Sequence, residues 1–192
     1  MRRRARLSRL AAHPPATALV VPVAMAIVSD CDAGIKAASR ASVVQIRAPA
    51  LAARVFEREA SRLVAAVTVP VVVSSRCDLA LACGAAGVNL PERDVPTRDA
   101  RALLGDRLVG RSVHSLDSAI EAERDGADYV IFGPVWRSAS HPDGSPVGTE
   151  ELARVAAALG IPVLAIGGIT EGRIAECRAA GAAGYAAIGL FS

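Results

Sequence analysis

"IPVLAIGGITEGRIAECRAAGAAGYAAIGLFS", residues 161–192, is the stretch that decides the fold. It opens on an apolar run (161–168), turns through two glycines into a helical pattern (170–182), and closes on a second apolar run (184–192). Runs that are apolar nearly throughout suit parallel strands covered on both faces. Thr170 and Gly181 stand where a helix needs its first and last caps.

The same unit recurs upstream. Apolar runs fall at "VAMAIVSD" (23–30), "SVVQIR" (42–47), "VPVVVSS" (69–75), "AGVNLP" (86–91), "RLVGRSVHS" (107–115) and "DYVIFGPV" (128–135). Helical patterns lie between runs at 51–67, 115–127 and 148–160, the second opening on Ser115 and ending at Gly126. Eight runs in one uninterrupted chain predict an α/β fold of the (β/α)8 TIM-barrel type, one domain over residues 1–192. The barrel is lean, since about 250 residues is typical. Its first helix, "AGIKAASRAS" (33–42), is short, and no eighth helix follows the last run. Residues 1–20 form an extension, helical or disordered, in which Leu7, Leu10 and Ala11 would share a face able to cover the gap.

Composition narrows the function. The net charge is +3, but without Arg2, Arg3, Arg4, Arg6 and Arg9 the remainder falls to about −2, and aromatic residues are 3%. That excludes a nucleic-acid-binding body, which needs a basic face with interleaved aromatics. The Arg-rich start followed by "ALVVPVAMAIV" (18–28) mimics a signal peptide, yet Pro22 and Asp30 mark a first core strand, and no run is long enough to span a membrane. Cys31, Cys77, Cys83 and Cys177 show no metal spacing and suit buried thiols in a reducing cytoplasm.

In such barrels the chemistry sits at the C-terminal ends of the strands. "IGGIT" (166–170) and "IGLF" (188–191) end the last two runs, where Gly167, Gly168, Ile188 and Gly189 would offer backbone N–H groups to a phosphate. Otherwise the glycines only make a tight turn. His114 ends the fifth run and suits either proton transfer near neutral pH or a hydrogen bond at the rim. Arg47 and Arg76 end the second and third runs and could clamp an anion or form rim ion pairs. Asp94, in the loop after the fourth run, is a poor magnesium site alone. "SASHPDGSPVG" (138–148) has the composition of a lid or of a plain loop.

Seven stretches in order, "AIVSD", "QIRAP", "VVVSSRCDLAL", "GVNLPERD", "GRSVHSLDSAIEAERDGADYVIFGPVW", "AIGGIT" and "AAIGLFS", resemble the thiamine phosphate synthase superfamily. For a synthase the resemblance implies joining hydroxymethylpyrimidine diphosphate to thiazole phosphate with release of pyrophosphate, using two acidic Mg²⁺ ligands and lysines. Here Ser74-Ser75-Arg76 stands where that branch has Asn-Asp-Arg, and Pro49 and His141 occupy lysine positions. "GRSVHS" and the "LP" after strand 4 are similar to the TenI-like branch, whose members isomerise a carboxythiazole phosphate to its aromatic tautomer without metal.

The expectation is therefore a TenI-like thiazole tautomerase with His114 as proton shuttle. Its substrate would be held by Arg47, Arg76, Asn89, Ser112 and Ser138, and the phosphate by Gly167, Gly168, Ile188 and Gly189. No cofactor is expected; a synthase would add Mg²⁺ on Asp94, and a non-catalytic thiamine-phosphate-binding protein is the third possibility. A small thiazole or thiamine phosphate is the expected partner, with no nucleic acid or membrane, and a homo-oligomer is left open.

Overall fold

The computed structural model describes residues 19–137 and 145–191. Strands and helices alternate as β1 (Val23–Val28), α1 (Cys31–Ala37), β2 (Val43–Ile46), α2 (Ala53–Ala66), β3 (Val71–Ser74), α3 (Cys77–Cys83), β4 (Gly87–Leu90) and α4 (Thr97–Leu104). They continue as β5 (Leu108–Val113), α5 (Leu116–Arg124), β6 (Tyr129–Phe132), α6 (Gly148–Ala158), β7 (Val163–Ile166), α7 (Glu171–Ala179) and β8 (Gly184–Ala187). Each strand pairs in parallel with the next, and β8 returns to β1 with Val23 opposite Gly184 and Ala26 opposite Ala187. The predicted TIM barrel is the fold. After β8 a single 3-10 turn, Gly189–Phe191, follows.

Alternation along the strands divides two cores. Val23, Met25, Ile27, Val43, Val72, Leu108, Tyr129, Ile131, Leu164 and Ala186 fill the barrel interior. The residues between them, among them Ala26, Val44, Val73, Val88, Val109, Val130 and Ala165, pack outward against the helices. Burying each valine, leucine or isoleucine contributes about 1.5–3 kcal/mol, so short strands hold because both faces are covered. The first apolar run is β1, and no helix among the described residues is long and apolar enough to cross a membrane. The proposed helical cover in residues 1–18 lies outside the described residues.

Helix 1 starts earlier than the pattern suggests, at Cys31 instead of Ala33. The reason is Asp30, whose carboxylate accepts the Ala33 N–H at 2.9 Å and opens the helix at its own position. That bond also holds the Asp30 carboxyl below the usual carboxylate range. Ser115 and Ser118 form a reciprocal capping box at α5. Thr170 occupies the cap position of α7 but makes no side-chain capping bond. Gly126 and Gly181 take φ of +93° and +83° just past α5 and α7, conformations that favour glycine. All four cysteines are buried free thiols, and burial pushes each thiol pKa up.

Gly110 lies opposite Tyr129 across β5 and β6, and the tyrosine ring fills the space a Cβ would need. Gly110→Ala is expected to overpack the interior by about 1–3 kcal/mol, lowering the melting temperature by several degrees, with recovery in a Gly110→Ala, Tyr129→Leu double variant. An unshifted melting curve for the single variant would contradict this packing. At the surface, Asp30→Ala should cost about 1 kcal/mol at pH 7. Because the folded-state pKa is depressed, that contribution is complete above the unfolded value near 3.8 and fades as the pH falls through the folded value. Urea titrations of both proteins at pH 7 and in acid should therefore converge at the acid end.

Candidate functional site

Below the rim at the C-terminal ends of the strands, the inward face changes from hydrocarbon to polar. Gln45 sits between Val44 and Ile46 on β2, is 2% exposed, and its Oε1 has no hydrogen-bond partner among the described residues. Asn89 on β4 is 3% exposed; its Nδ2 donates to Ser112 Oγ on β5 at 3.0 Å, while its Oδ1 has no partner among the described residues. A buried acceptor left without a donor costs roughly 1–3 kcal/mol, so a fold retains two of them where a ligand or water brings the missing N–H or O–H. The Tyr129 hydroxyl against Gly110 also has no partner among the described residues, and burial raises its pKa strongly. Gln45 was absent from the predicted contacts. Its signal is one amide in a strand otherwise apolar.

His114 follows β5 and is fixed from two sides. Its Nδ1 lies 2.6 Å from the Gly133 carbonyl oxygen at the end of β6 and so donates to it, which turns Nε2 toward Glu92. The backbone N–H of His114 donates to Glu92 Oε1 at 3.1 Å, and Nε2 is 4.0 Å from Glu92 Oε2. Glu92 shares the β4–α4 loop with Asp94, yet only Asp94 was singled out there. Nothing in the local sequence links Glu92 to His114; strand pairing does.

The end of β3 is strained. Ser75 and Arg76 are consecutive non-glycine residues with φ of +63° and +40°, a conformation costing of order 1–3 kcal/mol each. Ser75 Oγ donates to Asp94 Oδ2, and the Val95 N–H donates to Asp94 Oδ1 at 2.7 Å. Of the two roles open to Arg76, holding a ligand or forming a rim ion pair, the structure shows the ion pair: its Nε and Nη2 donate to Asp78 at 2.9 and 2.7 Å, which holds the Asp78 carboxyl below the usual range. Arg47 ends β2 two residues after inward-facing Gln45; its side chain is exposed and has no partner among the described residues.

The donor set bears on any metal. Among the described residues no three His, Cys, Asp or Glu side chains group closely enough to hold one. Asp94 is the carboxylate that Ser75 meets, and the described residues alone do not make a cation site. A magnesium ion shared between Asp94 and a ligand's phosphate oxygens fits, because Mg²⁺ is commonly held by one or two carboxylates plus substrate phosphates.

Across the mouth, Gly167 and Gly168 take φ of +95° and +64° between β7 and α7. A Cβ on Gly167 would lie 2.6 Å from Pro134 Cβ, and one on Gly168 2.5 Å from the Arg137 carbonyl oxygen, so only glycine fits this turn. Arg173 braces it, donating to the Gly168 carbonyl at 2.7 Å with its guanidinium 5.0 Å from the Trp136 ring centroid. Ile188 and Gly189 lie beside it at the end of β8, both exposed. Ser138 and His141, with most of the predicted lid, lie outside the described residues.

Comparison with known proteins gives this geometry relatives. Residues 23–191 match the family model described as thiamine monophosphate synthase. A thiamine-phosphate synthase of Chloroflexus aurantiacus is 39% identical over 152 residues, covering 77% of this chain and 70% of the relative. A putative thiamine-phosphate synthase of Geobacter sulfurreducens is 43% identical over 150 residues, covering 76% and 70%. Among solved structures, a thiamine phosphate pyrophosphorylase from Pyrococcus furiosus superposes with a TM-score of 0.79 at 30% identity, covering 86% of this chain and 85% of that one. These names overturn the expected tautomerase, because the relatives are named as thiamine-phosphate synthases and a thiamine phosphate pyrophosphorylase. With the match running from β1 to the turn after β8, the chain belongs to the thiamine monophosphate synthase family.

Proposed function

We propose that the protein joins a hydroxymethylpyrimidine diphosphate to a thiazole phosphate and releases pyrophosphate. The observation that carries this reading is the pair of orphaned buried amide oxygens, Gln45 Oε1 and Asn89 Oδ1, on the barrel floor of a synthase relative. The pyrimidine of thiamine carries an amino group, the kind of N–H donor that these acceptors lack.

In the reaction the bond from the pyrimidine's methylene carbon to the diphosphate oxygen breaks. Its electron pair leaves with pyrophosphate, and the thiazole nitrogen's lone pair forms the new carbon–nitrogen bond. Gln45 and Asn89 orient the pyrimidine, with Ser112 holding the Asn89 amide in place. Arg47, exposed beside that floor, meets the diphosphate charge as a guanidinium suited to phosphate oxygens. The N–H groups of Gly167, Gly168, Ile188 and Gly189 hold the thiazole phosphate on β7 and β8. Asp94, with Ser75 against it, would help hold a magnesium ion, which would supply positive charge to the leaving group. No ring proton moves in this coupling, so His114 serves as a polar wall of the mouth, its ring pinned by the Gly133 carbonyl. Arg76 is not given a direct role, since Asp78 holds it.

Purified protein given both substrates and Mg²⁺ should release pyrophosphate and form thiamine phosphate in equal amounts. Thiamine phosphate binding without any pyrophosphate release would contradict the synthase reading and leave a ligand-binding protein. Gln45→Leu should lower kcat/KM by about ten- to a hundredfold while the melting temperature holds or rises, because an unpaired buried amide is removed. A variant that loses stability and keeps its rate would show that Gln45 is structural. Gly168→Ala, which strains the turn, should raise KM for the thiazole phosphate about tenfold and leave KM for the pyrimidine substrate within about twofold. Equal changes in both constants would remove the assignment of phosphate to this turn.

A further inference from the structure

On β5 the side chains alternate around His114, and the outward one is unaccounted for. Ser112 faces in and meets Asn89; Val109 and Val113 face out into the helix-side cores; Arg111 lies between them on the outward face. Among the described residues its guanidinium does not form an ion pair. Nη1 donates to the Val95 carbonyl at 2.6 Å, and Nη2 donates to the Glu92 carbonyl at 2.6 Å and, more weakly, to the Asp94 carbonyl at 3.4 Å. One planar group therefore gathers three carbonyls of a single loop.

That loop carries side chains to the mouth on its other side: Asp94 receives Ser75 Oγ, and Glu92 receives the backbone N–H of His114. The geometry assigns Arg111 as the positioning residue of this loop, gripping its backbone from outside the barrel so that the Asp94 carboxylate stands at the strand ends. This rests on the synthase reading for the ligand, a magnesium diphosphate. The physical case is the fork of donors. A guanidinium presents five N–H groups in fixed directions, whereas an ammonium offers a point charge with three rotatable donors on a shorter reach. An arginine needed only for charge or for packing would not spend its donors on main-chain oxygens.

The test compares the wild type with Arg111→Lys and Arg111→Met in two measurements. The first is Mn²⁺ binding in the presence of pyrophosphate, read by electron paramagnetic resonance without turnover. The second is the Mg²⁺ dependence of coupling. Positioning predicts that Mn²⁺ affinity and the half-saturating Mg²⁺ concentration both worsen, about tenfold for lysine and more for methionine, with KM for the thiazole phosphate within about twofold of wild type. Variants that melt earlier but bind Mn²⁺ like the wild type overturn the assignment. So does a wild type that takes up no Mn²⁺ with pyrophosphate. If Mn²⁺ uptake depends on Arg111 but the wild type couples nothing, the inference stands and the synthase reading falls.

Discussion

The pairing of β8 with β1 is the contact on which the rest of the molecule depends. Val23 to Ala26 register with Gly184 to Ala187, and that ladder converts a row of strands, most of four residues, into a ring without edges. Closure brings the ends of all eight strands to one rim, so residues as far apart in the chain as Gln45 and Gly189 face the same space. Gly184 permits the closure, because a Cβ there would run into the backbone of Val23. An open sheet of the same strands would scatter the site along its length.

Closure also imposes a filling problem, and its solution separates stability from function. Most of the interior is hydrocarbon from both ends of the ring, Val23 and Met25 to Tyr129 and Leu164. Close to the rim the fold gives up that gain at Gln45 and Asn89, whose amide oxygens find no partner among the described residues. The strained Ser75 and Arg76 backbone lies at the same rim. Orphaned acceptors and left-handed residues are costs that folding alone does not require, and their concentration at one end marks that end as the working face.

Much of this was legible in the sequence, for reasons that differ by residue. The strands showed because a doubly covered strand is apolar at nearly every position, and the helix boundaries showed where Ser115, Gly126 and Gly181 do cap chemistry. The glycine pair 167–168 was recognisable from its place on the seventh strand. Gln45 was visible at the end of the second run but was not placed among the contacts, because with both faces buried no alternation tells inward from outward. Glu92 meets His114 only through the pairing of β4 with β5, and Arg76 turns to Asp78 through a left-handed backbone that no local pattern announces. The expectation of a tautomerase leaned on three positions, Pro49, Ser75 and His141, and on two short stretches, "GRSVHS" and the "LP" after strand 4, whereas kinship is carried by the whole barrel from residue 23 to 191. Those few positions weigh less than that.

The central claim is that one mouth holds a thiazole phosphate on β7 and β8 and a diphosphate beside β2 to β4. A crystal structure of the protein with thiamine phosphate, pyrophosphate and Mg²⁺ tests it most directly. The account predicts the ester phosphate at the N–H groups of Gly168 and Gly189, the pyrimidine amino group against Gln45 and Asn89, and the pyrophosphate between Arg47 and Asp94. Ligand seated instead in the outer groove lined by Arg98, Arg111 and Glu121, with the barrel floor left to water, would contradict it.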